Sequence, residues 1–212
     1  MNTAKRNREI LAVLEALYPD ARPELHFSNP YETLVATMLS AQSTDVQVNK
    51  VTPAVFRDFP TLEAMAKATP EILYPYVKSC GFKSKATNIV MAAQDILARF
   101  GGQVPQTLEE LTSLKGVGRK TANVVLANAF GVPAMAVDTH VFRVSNRLGL
   151  AEAATVEKTE QQLMRAIPKA QWNQAHHWLI FHGRRVCKAR NPACITCKLL
   201  PLCAHPQIKP EP

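Results

Sequence analysis

The sequence predicts an all-α fold, because helix-start signatures recur along the whole chain and apolar residues follow helical spacing. No pair of alternating segments makes a convincing strand pair. Ile10, Val13, Leu14 and Leu17 lie at the i, i+3, i+4, i+7 positions of a first helix. Asn29, Pro30 and Glu32 supply an N-cap, a proline for the first helical position and a capping-box carboxylate. Thr69, Pro70 and Glu71 repeat that signature. Ile89, Ala93, Ile96, Leu97 and Phe100 form a further apolar face, stopped by Gly101 and Gly102. Thr107 and Glu110 make a second capping-box pattern, and Asp138 caps a helix with Val137 and Phe142 at staple positions. The end, Pro206–Pro212, is expected to fray.

With 212 residues there is room for one domain or two small ones, and for a real core. The charge is uneven. Between Gln161 and Pro210 there is no Asp or Glu, yet Arg165, Lys169, Arg184, Arg185, Lys188, Arg190, Lys198 and Lys209 all fall there. The other 17 cations match the 17 carboxylates, so this stretch carries the whole net charge of +8. A concentrated positive field suits a phosphate backbone. A solvated basic tail is the plain alternative. Trp172, Trp178, Ile180 and Phe181 in the same stretch look like core and argue against it. No run of about 18 apolar residues suggests a membrane span. The charged start, Met1–Glu9, lacks a signal-peptide apolar region, so an intracellular, reducing setting (cytoplasm or nucleoid) is expected. There, four cysteines bunched near the end favour a metal or cluster site over disulfides.

Thr107 to Leu114 leads into Lys115-Gly-Val-Gly-Arg-Lys120 and then an apolar helix, the outline of a helix–hairpin–helix. Gly116 and Gly118 let the backbone turn tightly and approach a ligand. The N–H groups that open the second helix then face an anion, so Gly116, Val117, Gly118 and Arg119 are candidate DNA-backbone contacts. Such a grip is independent of base sequence.

The run Gly116-Val-Gly-Arg-Lys-Thr-Ala-Asn-Val-Val resembles the helix–hairpin–helix DNA glycosylase/lyase superfamily in its endonuclease III branch. Ala41-Gln-Ser-Thr-Asp, Val137-Asp-Thr-His-Val-Phe-Arg-Val and His176-His-Trp-Leu-Ile-Phe-His-Gly resemble it too, so nearly the whole chain is covered. The resemblance implies a six-helix barrel domain over residues 22–132, with the helix–hairpin–helix at about 107–128. Residues 1–21 and 133–212 would form a second helical domain carrying an iron–sulfur cluster loop. The implied activity is removal of oxidised pyrimidines from double-stranded DNA, then cleavage at the abasic site, by a monomer.

Lys120 falls in the first turn of the second hairpin helix, where the positive dipole end and Arg119 disfavour a cation. Partial desolvation would further favour the neutral, nucleophilic amine. On residues alone Lys120 reads first as a phosphate-gripping surface lysine. The resemblance makes it the nucleophile that attacks C1′ and forms a Schiff base. Adenine-removing relatives usually carry serine or tyrosine there. Asp138 is by itself a helix N-cap worth about 1 kcal/mol. The resemblance gives the matching carboxylate a second job, activating the amine or stabilising the cationic sugar.

Cys187, Cys194, Cys197 and Cys203 supply four thiolates, and their spacing alone leaves zinc and an iron–sulfur cluster level. The resemblance implies [4Fe-4S], with Lys188 and Arg190 in the first intercysteine loop as DNA contacts. Cys80 has no partner and is expected to be a small buried side chain. The target nucleotide must leave the stack, and the resemblance makes Gln42 the side chain that fills the vacated space. Two departures stand out. Lys115 replaces the family's usual proline, and the loop Gly81–Ala86 is one residue short, leaving Phe82 as the candidate wedge into the opposite strand.

Overall fold

The computed structural model describes residues 2–208, so Lys209–Pro212, within the segment expected to fray, lies outside the described residues. The described chain is helical with no strand. In order the helices are α1 (Thr3–Leu17), α2 (Pro30–Ser40), α3 (Asp45–Asp58), α4 (Leu62–Lys67), α5 (Pro70–Val77), α6 (Ser84–Phe100), α7 (Leu108–Thr112), α8 (Arg119–Phe130), α9 (Thr139–Leu148), α10 (Val156–Ala166) and α11 (Trp172–Arg185). Short 3₁₀ turns occupy Lys78–Cys80, Lys169–Gln171 and Leu200–Leu202.

Side-chain caps explain most of these starts. Asn2, Asn29, Thr44, Thr61, Thr69, Thr107, Asp138 and Thr155 each accept a backbone N–H in the first turn they open. Glu32 reaches back to the Ser28 N–H at 2.6 Å, one residue before the cap, and the Thr107 hydroxyl donates to Glu110 at 2.8 Å. Gly101, at φ 60°, ends α6 in the left-handed conformation expected of it. The exception that matters is α8, whose cap residue Gly118 has no side chain to offer.

Residues 23–132 form one compact unit and residues 1–22 with 133–212 the other. In the first, α2 is central: Leu34, Val35, Ala36, Met38 and Leu39 are all buried, against α3, α6 and α8. Its buried Thr33 and Thr37 hydroxyls donate to the Asn29 and Thr33 carbonyls, so no polar group is stranded. Seven helices, α2–α8, lie in this unit where six were expected, and Thr69 and Pro70 open α5 as a helix separate from α4.

In the second unit α11 is buried along most of its length, with Trp178, Leu179, Ala175 and Trp172 packed among Ile10 and Leu14 of α1 and Val141, Val144 and Leu148 of α9. Gly183 permits the α9–α11 crossing, since a Cβ there would lie 3.0 Å from His140 and Val144. The aromatic residues of the basic stretch are thus core, not tail. No helix among the described residues is long and apolar enough to cross a membrane.

Candidate active site and DNA interface

The hairpin between α7 and α8 is held from inside. Leu114 and Val117 are buried, and the Val117 N–H donates to the Leu114 carbonyl at 3.2 Å. Val117 therefore anchors the turn, its side chain and N–H both spent on the protein. Gly116 stands at φ 76°, and a Cβ there would meet the Asn88 side chain of α6 at 2.6 Å. Only glycine satisfies both demands. Gly116→Ala is expected to cost about 2–3 kcal/mol through left-handed strain and overlap. Asn88→Ala should not rescue it, because the Asn88 Cβ is itself 2.6 Å away, whereas Asn88→Gly should recover part. Thermal melts of the three variants check this.

Gly118 leaves the first-turn N–H groups of α8 without a side-chain cap, and Arg119 and Lys120 emerge from that turn exposed. An uncapped helix start at a glycine turn is an anion site in waiting. Lys120 is solvent-exposed, so the partial desolvation expected for it is not seen.

In the same unit, Gln42 follows the last turn of α2 with φ 56°, a left-handed value that glycine or asparagine more often adopts. Ala41 precedes it at φ −59°, ψ 114°, and the Ser43 N–H closes onto the Ser40 carbonyl at 3.1 Å. This is a type II turn with Gln42 at its glycine-favouring corner, which turns an exposed glutamine outward at the cost of about 1 kcal/mol of strain. Phe82 is 71% exposed in the short loop that enters α6, unusual for a large aromatic side chain. Cys80 is buried as expected.

Asp138 and the cysteines belong to the other unit. Asp138 Oδ1 accepts the Val141 N–H at 2.7 Å, so the carboxylate caps α9 with that oxygen. The four thiols of Cys187, Cys194, Cys197 and Cys203 line one cavity together with Arg147, His182 and Leu200. Burial, above all, pushes the Cys197 and Cys203 thiols upward. They therefore ionise readily only against a strong local positive charge, such as a metal centre. Two donors face the sulfurs: Arg147 Nη1 lies 3.5 Å from Cys187 Sγ, and His182 Nε2 lies 3.6 Å from Cys197 Sγ. The Tyr18 hydroxyl is 2.9 Å from His182 Nδ1; if it donates there, the proton is left on Nε2, facing the sulfur. The four thiols thus share a cavity with N–H donors beside two of them, while among the described residues no group of three or more His, Cys, Asp or Glu is placed to hold a metal ion.

The Arg147 guanidinium also donates to the Lys188 and Ala189 carbonyls at 2.8 and 3.3 Å. It thereby fixes the backbone of the intercysteine loop, while Lys188 and Arg190 stay exposed. Sequence reasoning missed Arg147 and Asn88. Tyr18 and His182 were missed too, although His182 lies inside a recognised motif.

Burial depresses two histidines of α11, His177 to about 3, with His176 adding to the effect, and His182 to about 4. Unfolded, each takes up a proton near pH 6.5. Below that pH the unfolded state binds more protons than the native one, so stability falls as pH drops from 6.5 toward 4. The slope reaches about 1.4 kcal/mol per pH unit for each histidine. Above pH 6.5 neither contributes. Melts at pH 7 and pH 5 should show the loss, and His177→Gln should reduce it.

Residues 35–169 match the helix–hairpin–helix (HhH-GPD) superfamily of base excision DNA repair proteins. The chain is 48% identical to endonuclease III of Synechocystis sp. over 205 residues, 96% of this chain and 94% of that one. It is 46% identical to endonuclease III of Escherichia coli, covering 97% of both. It superposes with a TM-score of 0.91 on a trapped endonuclease III–DNA covalent intermediate, at 45% identity and covering 96% of this chain and 97% of that one. The chain belongs to the endonuclease III family, base excision repair enzymes that join DNA glycosylase to abasic-site lyase activity.

Proposed function

We propose that this protein excises oxidised pyrimidines from double-stranded DNA with Lys120 as nucleophile, then cleaves 3′ to the abasic site by β-elimination. The observation that carries the reading is the placement of Lys120 in the first turn of a helix whose N–H groups are uncapped, behind a glycine turn. Gly118 and the first turn of α8, with Arg119, hold backbone phosphate, and Lys120 is carried to the sugar on the same rigid element. The neutral amine attacks C1′, and the base leaves with the glycosidic electron pair. Ring opening gives an imine between Nζ and C1′. The imine acidifies C2′–H, and loss of that proton expels the 3′ phosphate. Asp138 offers its second oxygen to the amine proton or to the cationic sugar.

Cys187, Cys194, Cys197 and Cys203 are the ligands we assign to a [4Fe-4S] cluster, which supplies structural cross-linking when bound. Lys188 and Arg190, on the loop it orders, add phosphate contacts. Gln42 fills the space left by the extruded nucleotide, and Phe82 wedges into the opposite strand. The substrate is a duplex carrying a damaged pyrimidine or an abasic site, met by a monomer in the reducing interior of the cell. Borohydride treatment of the protein with abasic-site duplex is the test. A covalent adduct mapping to Lys120 by peptide mass supports the reading, and one mapping to another residue overturns it.

A further inference from the structure

The geometry points to Lys85 as a positioning residue that sets, through one ammonium, the two turns presenting Gln42 and Phe82. Lys85 Nζ donates to the Leu39 carbonyl at 2.8 Å and to the Cys80 carbonyl at 2.5 Å. Leu39 lies in the last turn of α2, where carbonyls lack helical partners and the dipole favours a cation. Gln42 follows three residues later. Cys80 closes the 3₁₀ turn, and Phe82 follows two residues later. One side chain therefore fastens the backbone immediately ahead of both residues assigned to enter the duplex.

Two more ties hold the same 3₁₀ turn to α3: Gln47 Nε2 donates to Ser79 Oγ at 2.8 Å, and Cys80 Sγ lies 3.9 Å from the Gln47 carbonyl. Gly81, between Cys80 and Phe82, stands at φ 124°, a conformation that L side chains rarely adopt. Among the described residues no carboxylate forms an ion pair with Lys85. Its charge is met by backbone oxygen, and burial works against that charge. A half-buried ammonium is costly to keep for fold alone. It is well suited to holding two loop tips at a fixed separation.

Two side chains that enter one stacked duplex must arrive at a set spacing, and a misplacement near 1 Å costs about 10²-fold in rate. The inference rests on the assignment of Gln42 and Phe82 as the invading side chains. Lys85→Met keeps the aliphatic stem and removes the donors. Single-turnover excision from a lesion duplex should fall tenfold or more, as should the fluorescence rise of a 2-aminopurine beside the lesion. Borohydride capture of a single-stranded abasic oligonucleotide, which needs no extrusion, should stay within twofold of the parent. Lys85→Arg should recover part of the duplex activity.

Equal losses on duplex and single strand would reduce Lys85 to a folding role, and an unimpaired duplex rate would remove it altogether. If Lys85→Met does not fold, Lys85→Gln, which removes the charge and shortens the reach while keeping an amide NH2, takes its place in all three measurements. Gln42→Ala and Phe82→Ala, assayed on the same duplex, separate the two levels. If both excise normally, the invading assignment fails and the inference with it. If they lose activity while Lys85→Met does not, the clamp alone is wrong.

Discussion

Lys120→Ala should yield no borohydride adduct with abasic-site DNA and should lose strand cleavage by roughly 10⁴-fold or more. The other primary amine of the hairpin, Lys115, precedes Gly116 and lies outside the first turn of α8. The side chain is exposed and caps nothing, so stability should move by less than about 0.5 kcal/mol. Duplex affinity should weaken only modestly, because the N–H groups of α8 and Arg119 remain. Lys120→Arg should fail equally, since a guanidinium stays protonated and cannot form the imine. Asp138→Asn divides the two jobs of its carboxylate. The amide oxygen can still accept the Val141 N–H, so α9 keeps its cap, yet excision should drop about 10²- to 10⁴-fold with the charge gone. Asp138→Ala should add the loss of the cap, about 1 kcal/mol, visible in the melt. An adduct that survives in Lys120→Ala would transfer the chemistry elsewhere.

Cys197→Ala should cost the protein its visible absorbance and acid-labile sulfide, and lower the melting temperature by about 10 °C or more. The physical reason lies in the segment 186–205. Besides the turn Leu200–Leu202 it has no helix, and Leu199 is its one fully buried apolar side chain. Cys187, Cys197 and Cys203 pack on the edge of the core, where the metal ligation proposed for them would add to burial. Without it, the strap from α11 to the end loosens and Lys188 and Arg190 lose their fixed positions, so DNA affinity should fall together with proteolytic resistance. Stoichiometric zinc without sulfide in protein grown on iron would defeat the assignment.

The helix starts were largely legible because capping is local. Asn29 with Pro30, Thr69 with Pro70, Thr107 with Glu110 and Asp138 all announce themselves within four residues. Thr44, Thr61 and Thr155 carry the same information, but they lack the proline or the third-position carboxylate that makes a pattern conspicuous. The hairpin was readable as a glycine turn. That Val117 points inward, or that Asn88 forbids a Cβ at Gly116, depends on which helix packs beneath it. Lys85 meets a carbonyl 46 residues away, and Arg147 meets one 41 residues away. Such contacts leave no periodic trace in a sequence. The exposure of Lys120 was likewise invisible, because sequence supplies a residue's neighbours in the chain but not its access to water.

The unit that carries the cysteines is assembled from both ends of the chain, with α1 packed on α11. During synthesis α1 leaves the ribosome about 150 residues before its partner, a wait on the order of ten to thirty seconds at ordinary translation rates. The segment 23–132 is contiguous and can complete its folding in that interval. Through it Ile10, Leu11 and Leu14 have no core to enter, so the newborn protein carries a sticky leading helix until its final thiols emerge. Ribosome stalling late in the message would release a protein whose hairpin is made but whose cysteine-bearing strap is not.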